Sequence, residues 1–305
     1  MIEGNNLTNY HPFNSNPRAP KVSLPTGTID SQFHVLGPRE KYPVRPGAAY
    51  EMPSATWQAL KRMHDALGIR RGIIVQTTTY GADHAVVLDA LDALGPNYKA
   101  CANALVFESA DDAYLEKLHS SGVRGARFSF RQELGAVLGK ADFDRAVSRM
   151  KELGWYMKIQ PEQLGIVAST SWFEHLTIPI LIDHMGRPDL QLPPEQNPNV
   201  LKMCELLQRG NFWVMLSLGE KLSRTAAPYD DVIPFARKLI DAAPHRCVWG
   251  SDWPHPVSKT PPPNDADLVE LMCRYVDTRE ELEQILVHNP SALFGFGSDN
   301  HTAST

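Results

Sequence analysis

The sequence predicts an α/β protein, a single-domain (β/α)8 barrel of TIM type, on three observations. Eight short β-branched or apolar runs alternate with segments of helical spacing. The length of 305 residues suits one such barrel, an architecture of roughly 250 residues plus insertions. No Gly-rich nucleotide loop follows the first run, which argues against the structural rival, a doubly wound open sheet.

In chain order, strands are predicted over 28–35, 72–76, 101–107, 125–130, 156–160, 178–182, 212–216 and 247–250. Helical spacing occupies 54–67, 83–94, 110–120, 142–153, 200–208 and 229–242. The Pro-rich stretches 42–53 and 260–263 follow the first and last strands, where stiff loops would shape the mouth. Residues 1–24 and 298–305 lack an apolar period and read as loose tails, which leaves 25–297 for the barrel.

Composition narrows the function. Hydrophobic residues at 43% and charged residues at 21% suit a globular protein with a large core. No apolar run approaches the roughly 18 residues that span a bilayer, and residues 1–22 have no signal-peptide pattern, so a cytoplasmic location is expected. A net charge of −5 without a basic stretch excludes nucleic acid and anionic membranes as partners. An anionic substrate would then need local arginines. Cys101, Cys204, Cys247 and Cys273 form no CxxC pair and read as free thiols. A monomer or a small homo-oligomer is expected.

Polar residues gather where the predicted strands end: Asp30, Gln32 and His34, then Gln76 and Thr78, Arg127 and Ser129, Asp183 and His184. The last strand ends Trp249-Gly250-Ser251-Asp252-Trp253-Pro254-His255. Residues two apart on a strand share a face, so Asp30, Gln32 and His34 point the same way, into the barrel. Asp252 reads as a carboxylate at the mouth or as a turn cap. His184 reads as a site residue or a satisfied loop histidine, and His255 as a structural neighbour. His64, His119, His175, His245 and His288 fall on helices or their ends and are expected at the surface, with His11 and His301 in the tails. Lys158 shares the parity of Gln160 and would point inward, where a substrate anion or an internal carboxylate must satisfy it.

Four strings carry a resemblance: Gly81-Ala82-Asp83, Gly122-Val123-Arg124-Gly125-Ala126-Arg127-Phe128, Asp183-His184-Met185-Gly186-Arg187-Pro188-Asp189, and the eighth-strand string through Pro256. In this order, from about Pro25 to Phe296, the chain resembles the amidohydrolase superfamily and, within it, the 2-pyrone-4,6-dicarboxylate hydrolase-like lactonases. The resemblance implies a lactone hydrolase with Asp252 as general base and His34 and His184 at the reacting carbonyl, and Gln32 beside them reads as a further member of the catalytic set. Arg127 would hold a substrate carboxylate and Tyr50 would line the pocket. Thr78, Ser129, Gln160, Arg131 and Lys158 are further substrate-binding candidates, and Lys221 and Arg224 further cations.

Three departures bear on the substrate. The family's His-x-His reads Gln32-Phe33-His34 here, and Glu133 and Gln160 stand where the pyrone enzymes have arginine and tyrosine. The specific expectation is a small anionic unsaturated lactone of bacterial aromatic degradation, 4-sulfomuconolactone opening to maleylacetate and sulfite. The pyrone dicarboxylate is an alternative. So is a sugar-acid lactone isomerase similar to galactarolactone isomerase, which Gln32 and Gln160 suit and Asp252 does not. No cofactor is expected. The alternative is one zinc at His34, His184 and Asp252, a set weakened by Gln32. A metal-dependent decarboxylase and a non-enzymatic binding barrel are the remaining rivals.

Overall fold

In the computed structural model, which describes residues 10–297, eight strands pair in parallel and in chain order. They are β1 (Ile29–Phe33), β2 (Arg71–Val75), β3 (Tyr98–Asn103), β4 (Val123–Ser129), β5 (Tyr156–Gln160), β6 (Ile180–Ile182), β7 (Phe212–Leu216) and β8 (Cys247–Trp249). The connecting helices are α1 (Trp57–Leu67), α2 (Ala85–Leu94), α3 (Val106–Ser109), α4 (Asp112–Ser120), α5 (Lys140–Leu153), α6 (Pro198–Leu207), α7 (Gly219–Leu222), α8 (Ile233–Ala242), α9 (Asp265–Cys273), α10 (Arg279–Glu283) and α11 (Asn289–Phe294). Side-chain oxygens of Thr56, Asp111, Asn197, Asn264 and Thr278 accept from the first-turn amides of α1, α4, α6, α9 and α10. Those caps satisfy backbone donors that a helix leaves open.

Two apolar clusters hold the layers. Ile73, Val75, Cys101, Tyr156, Leu181, Trp213, Met215 and Val248 form one, to which α11 contributes Phe294. A larger cluster packs the strands against the surrounding helices. Burial on both faces explains why the strands read as short apolar runs.

The seam between β1 and β8 is made largely by residues just past the two strands. Asp252 N donates to Gln32 O at 2.9 Å, and His34 N to Trp253 O at 2.7 Å. Asp30, fully buried, accepts from Ser251 N (2.9 Å), Ser251 Oγ (2.6 Å) and His64 Nε2 of α1 (3.2 Å). Gly250 is required here, because a Cβ would come within 2.6 Å of Gln32 N.

Three expectations change. The third strand lies at 98–103, not 101–107: Leu105 N donates to Asn103 Oδ1 at 3.0 Å as the chain turns, and part of the apolar run after it forms α3. A short apolar run reads alike for a buried strand and a buried helix. His64 is fully buried between Asp30 and Tyr98, not at the surface. Residues 10–24 carry no regular element but are fastened down: Phe13 packs on Trp253 with ring centroids 4.7 Å apart, His11 N donates to Ser258 O at 3.0 Å, and Arg18 pairs with Glu270 at 2.7 Å. Residues 1–9 and the predicted tail 298–305 lie outside the described residues. All four cysteines are free, and no described helix is long and apolar enough to cross a membrane.

The Asp30 junction gives a test. Asp30→Ala strands four buried donors, Gln32 N being the fourth, and should cost about 3–5 kcal/mol of unfolding free energy, as loss of one partner from a buried network does. Lys61→Ala, which breaks an exposed pair with Asp65, should cost under about 1 kcal/mol. Denaturant midpoints of the two variants check this, and equal losses would contradict the role of Asp30.

Candidate active site

A cavity of about 540 Å³ opens at the carboxyl ends of the strands, the face on which such barrels carry their chemistry. Asp252 sits in its wall, 4% exposed, with φ at 60°. For a residue other than glycine that backbone costs on the order of 1 kcal/mol. The β1 seam holds it: the Gln32 amide donates to Oδ1 at 2.6 Å, and His34 Nε2 faces Oδ1 at 3.4 Å. Lys221 Nζ lies 3.5 Å from Oδ2 and donates to Pro256 O at 3.1 Å. Burial alone would raise the Asp252 pKa, but Lys221, then His34 and His184, hold it well below the usual carboxylate range. The group is therefore an anion at neutral pH.

The two imidazoles are fixed by their second nitrogens. His34 Nδ1 lies 2.7 Å from Val75 O and donates there, while Nε2 faces Asp252. His184 Nδ1 lies 2.9 Å from Ser217 Oγ, while Arg127 Nη2 approaches His184 Nε2 at 3.4 Å. A guanidinium only donates, so Nε2 accepts and Nδ1 donates. Burial pushes His184 down to about 3, leaving it neutral. His184 in this pattern turns an acceptor, not a donor, toward Arg127. Both rings line the cavity, together with Arg127 and Lys221.

Next to His184 stands a buried charge network. Arg127 Nε donates to Asp183 Oδ2 at 2.8 Å, and Lys158 Nζ lies 2.6 Å from Asp183 Oδ1. Asp183 is fully buried, yet Lys158 and Arg127 overcome the burial and keep its pKa below the ordinary value. Of the two partners open to Lys158, the internal carboxylate is the one present. Arg127 is expected at the substrate and does line the cavity, but it is also ion-paired with Asp183.

The cavity gathers His34, Tyr50, Arg127, Arg131, Gln160, His184, Lys221 and Asp252. Other candidates are buried without lining it. Gln32 acts on Asp252, Thr78 Oγ1 donates to Tyr50 Oη at 3.4 Å, Ser129 Oγ accepts from Arg131 N at 3.3 Å, and Lys158 is fully enclosed. Arg131 pairs with Glu133, so the residue in place of the family's arginine neutralises another arginine. Arg224 is exposed, its backbone N bonded to Asp231. His255 is buried between Asp265 (3.1 Å) and Glu220 (3.4 Å); burial would lower its pKa, but the two carboxylates raise it to about 10. Gln76 bonds the carbonyls of the 81–83 loop.

Sequence reasoning missed Tyr10, Gln163, Arg187 and Lys259, which also line the cavity. Arg187 had a signal, since it lies inside the quoted 183–189 string. Tyr10 had none. His84 was also overlooked: it is buried, accepts from Asn103 N at 3.1 Å, and is pushed by burial down to about 4.

The zinc alternative at His34, His184 and Asp252 does not fit the donor set. His184 Nε2 and both Asp252 oxygens already face an arginine, an amide N–H and an ammonium, groups that a metal ion would oppose. Among the described residues no group of three or more His, Cys, Asp or Glu is placed to hold a metal ion.

Fold and site together define a parallel (β/α)8 barrel of enzyme type, with acid, imidazole and guanidinium converging at the strand ends. The chain belongs to the amidohydrolase family, whose model matches residues 29–296. It is 34% identical over 288 residues to a 2-pyrone-4,6-dicarboxylate hydrolase of Comamonas testosteroni, covering 92% of this chain and 94% of the relative. It is 35% identical over 280 residues to a 4-sulfomuconolactone hydrolase of Hydrogenophaga intermedia, covering 89% and 90%. An apo crystal structure from Agrobacterium tumefaciens superposes with a TM-score of 0.79 at 27% identity, covering 91% of this chain and 99% of the other.

The neutral state of His184 has a pH consequence. Its folded pKa lies below the ordinary 6.5, so the unfolded chain takes up the proton first and stability falls as pH drops from about 6.5 toward 3. His184→Asn should flatten that slope by about one proton in denaturant midpoints stepped between pH 6.5 and 4. An unchanged slope would mean that His184 is charged in the folded protein.

Proposed function

We propose that this protein hydrolyses a small anionic unsaturated lactone, with Asp252 as the base that takes the proton of the attacking water. One observation carries the reading: the cavity sets five cations, Arg127, Arg131, Arg187, Lys221 and Lys259, against two carboxylates, Glu133 and Asp252. That is a local positive excess in a chain of net charge −5, and it suits an anionic ligand. The names of the relatives support the lactone.

In the proposed step the water oxygen bonds to the lactone carbonyl carbon while Asp252 accepts one of its protons. The Gln32 amide and the His34 ring, both against Oδ1, would hold the carboxylate toward that water. Arg127 and Lys221 would meet the charge that develops on the carbonyl oxygen. The ring C–O bond then breaks, with its electron pair going to the ring oxygen. The low pKa makes Asp252 a modest base, which suffices where the leaving oxygen is stabilised. The preferred substrate is 4-sulfomuconolactone. Its leaving oxygen sits on the carbon bearing the sulfonate, which becomes a ketone as sulfite departs, giving maleylacetate. The identity to the sulfomuconolactone enzyme and the loss of the pyrone family's arginine at Glu133 support this choice.

A panel of sulfonated butenolide, pyrone dicarboxylate and galactarolactones, followed by ultraviolet absorbance and sulfite release, tests the substrate. Turnover of none of them would refute the reading. Asp252→Asn should lower kcat by about a hundredfold or more, since general-base catalysis supplies that much. Retention of more than a tenth of the rate would remove Asp252 from the role. Because no metal is proposed, activity should survive exhaustive chelation. Loss that zinc restores would instead assign the water to a metal.

A further inference from the structure

We infer that Arg187 is the group that recognises the substrate's anion, and that the backbone from His184 to Arg187 is wound left-handed to present it beside His184. His184, Met185, Gly186 and Arg187 have φ of 55°, 55°, 70° and 54°. Four consecutive residues in this region make a left-handed turn, a conformation that L residues other than glycine avoid and that persists where the surroundings impose it. Gly186 N donates to Asp183 O at 3.0 Å, and Arg187 N to His184 O at 2.9 Å. These are three-residue-per-turn bonds, and in such a turn residues i and i+3 lie on the same side. His184 and Arg187 are that pair, and both line the cavity.

The surroundings enforce the turn. A Cβ on Gly186 would meet Met203 Cγ at 2.7 Å, and Asn199 Nδ2 reaches Arg187 O at 3.4 Å. Arg187 meanwhile makes no direct ion pair among the described residues, and Glu133 and Asp252 act on its charge only from a distance. Of the other cations of the lining, Arg127 pairs with Asp183, Arg131 with Glu133 and Lys221 with Asp252, while Lys259 is exposed to water. Arg187 is half-buried, and among the described residues it pairs with no carboxylate. Its Nη2 donates to the neutral Gln163 Oε1 at 3.2 Å, and its buried Nε has no hydrogen-bond partner. A planar guanidinium so placed suits a carboxylate or sulfonate taken through two parallel hydrogen bonds.

That this anion belongs to the substrate rests on the lactonase reading; that Arg187 forms an anion site does not. The probe is maleate, with its uncharged diamide as control, titrated calorimetrically into the whole protein. Arg187→Met should weaken maleate by about ten- to hundredfold, the range of a charge-assisted hydrogen bond, leave the diamide within twofold, and leave the melting temperature near that of the wild type. Arg187→Lys should recover part of the loss. Gly186→Ala keeps the guanidinium but crowds Met203, and should also weaken maleate. Wild-type maleate affinity in Arg187→Met, or an equal loss for the diamide, overturns the inference. If Arg187→Met does not fold, Arg187→Lys decides alone: unchanged affinity overturns the inference, and a partial loss supports it. Loss of maleate binding in a protein whose wild type opens no lactone upholds the anion site and sinks the lactonase reading instead. With an active lactone, KM should rise by the same factor while kcat stays within a few fold.

Discussion

The closure of the barrel between its first and eighth strands is the constraint from which the site follows. One set of bonds, from Asp30 to Ser251 and from Asp252 and His34 to the opposite backbones, joins the two ends of the sheet. The same bonds bring the Gln32 amide and the His34 ring against the Asp252 carboxylate, although they lie more than 200 residues away in sequence. Gly250 permits the close approach, and Asp252 has a left-handed backbone where its amide donates across the seam to Gln32 O. Stability and chemistry are thus the same contacts seen from two sides.

The charges of the interior are arranged by depth. Apolar residues from six strands, with Phe294 of α11, form a cluster within the sheet. Lys158 and Arg127 share Asp183, which neutralises charge where burial would otherwise be costly. At the mouth the pairing is incomplete: Asp252 is stabilised as an anion by groups that do not fully enclose it, and among the described residues Arg187 makes no direct ion pair. Incomplete pairing at the opening is what a charged ligand would complete.

Much of this was legible in the sequence because it depends on alternation and parity. The alternation of runs reports eight strands, and parity alone turns Lys158 inward beside Gln160. Asp252, His34 and Arg127 stand at strand ends, and strand ends in a barrel converge. What the sequence hid depends on contacts between distant segments. His64 looks like a surface helix residue until Asp30 is placed against it. Tyr10 and Phe13 sit in a stretch without period, because single contacts rather than a repeating face hold that stretch. The partner of Arg131 lies two residues away at Glu133, yet the sequence suggested only a lost arginine. The left-handed turn that presents Arg187 could not be read at all, since only its glycine hints at the backbone it requires.

The central claim is that water, delivered by Asp252, opens a lactone. Labelled water tests it most directly: a single turnover of the sulfonated butenolide or the pyrone dicarboxylate in H₂¹⁸O, with a chelator present, is followed by mass spectrometry of the product. The account predicts one ¹⁸O in the newly formed carboxylate, absent from the Asp252→Asn reaction over the same time. A product that is still a lactone and carries no label would contradict it, and would make the protein an isomerase.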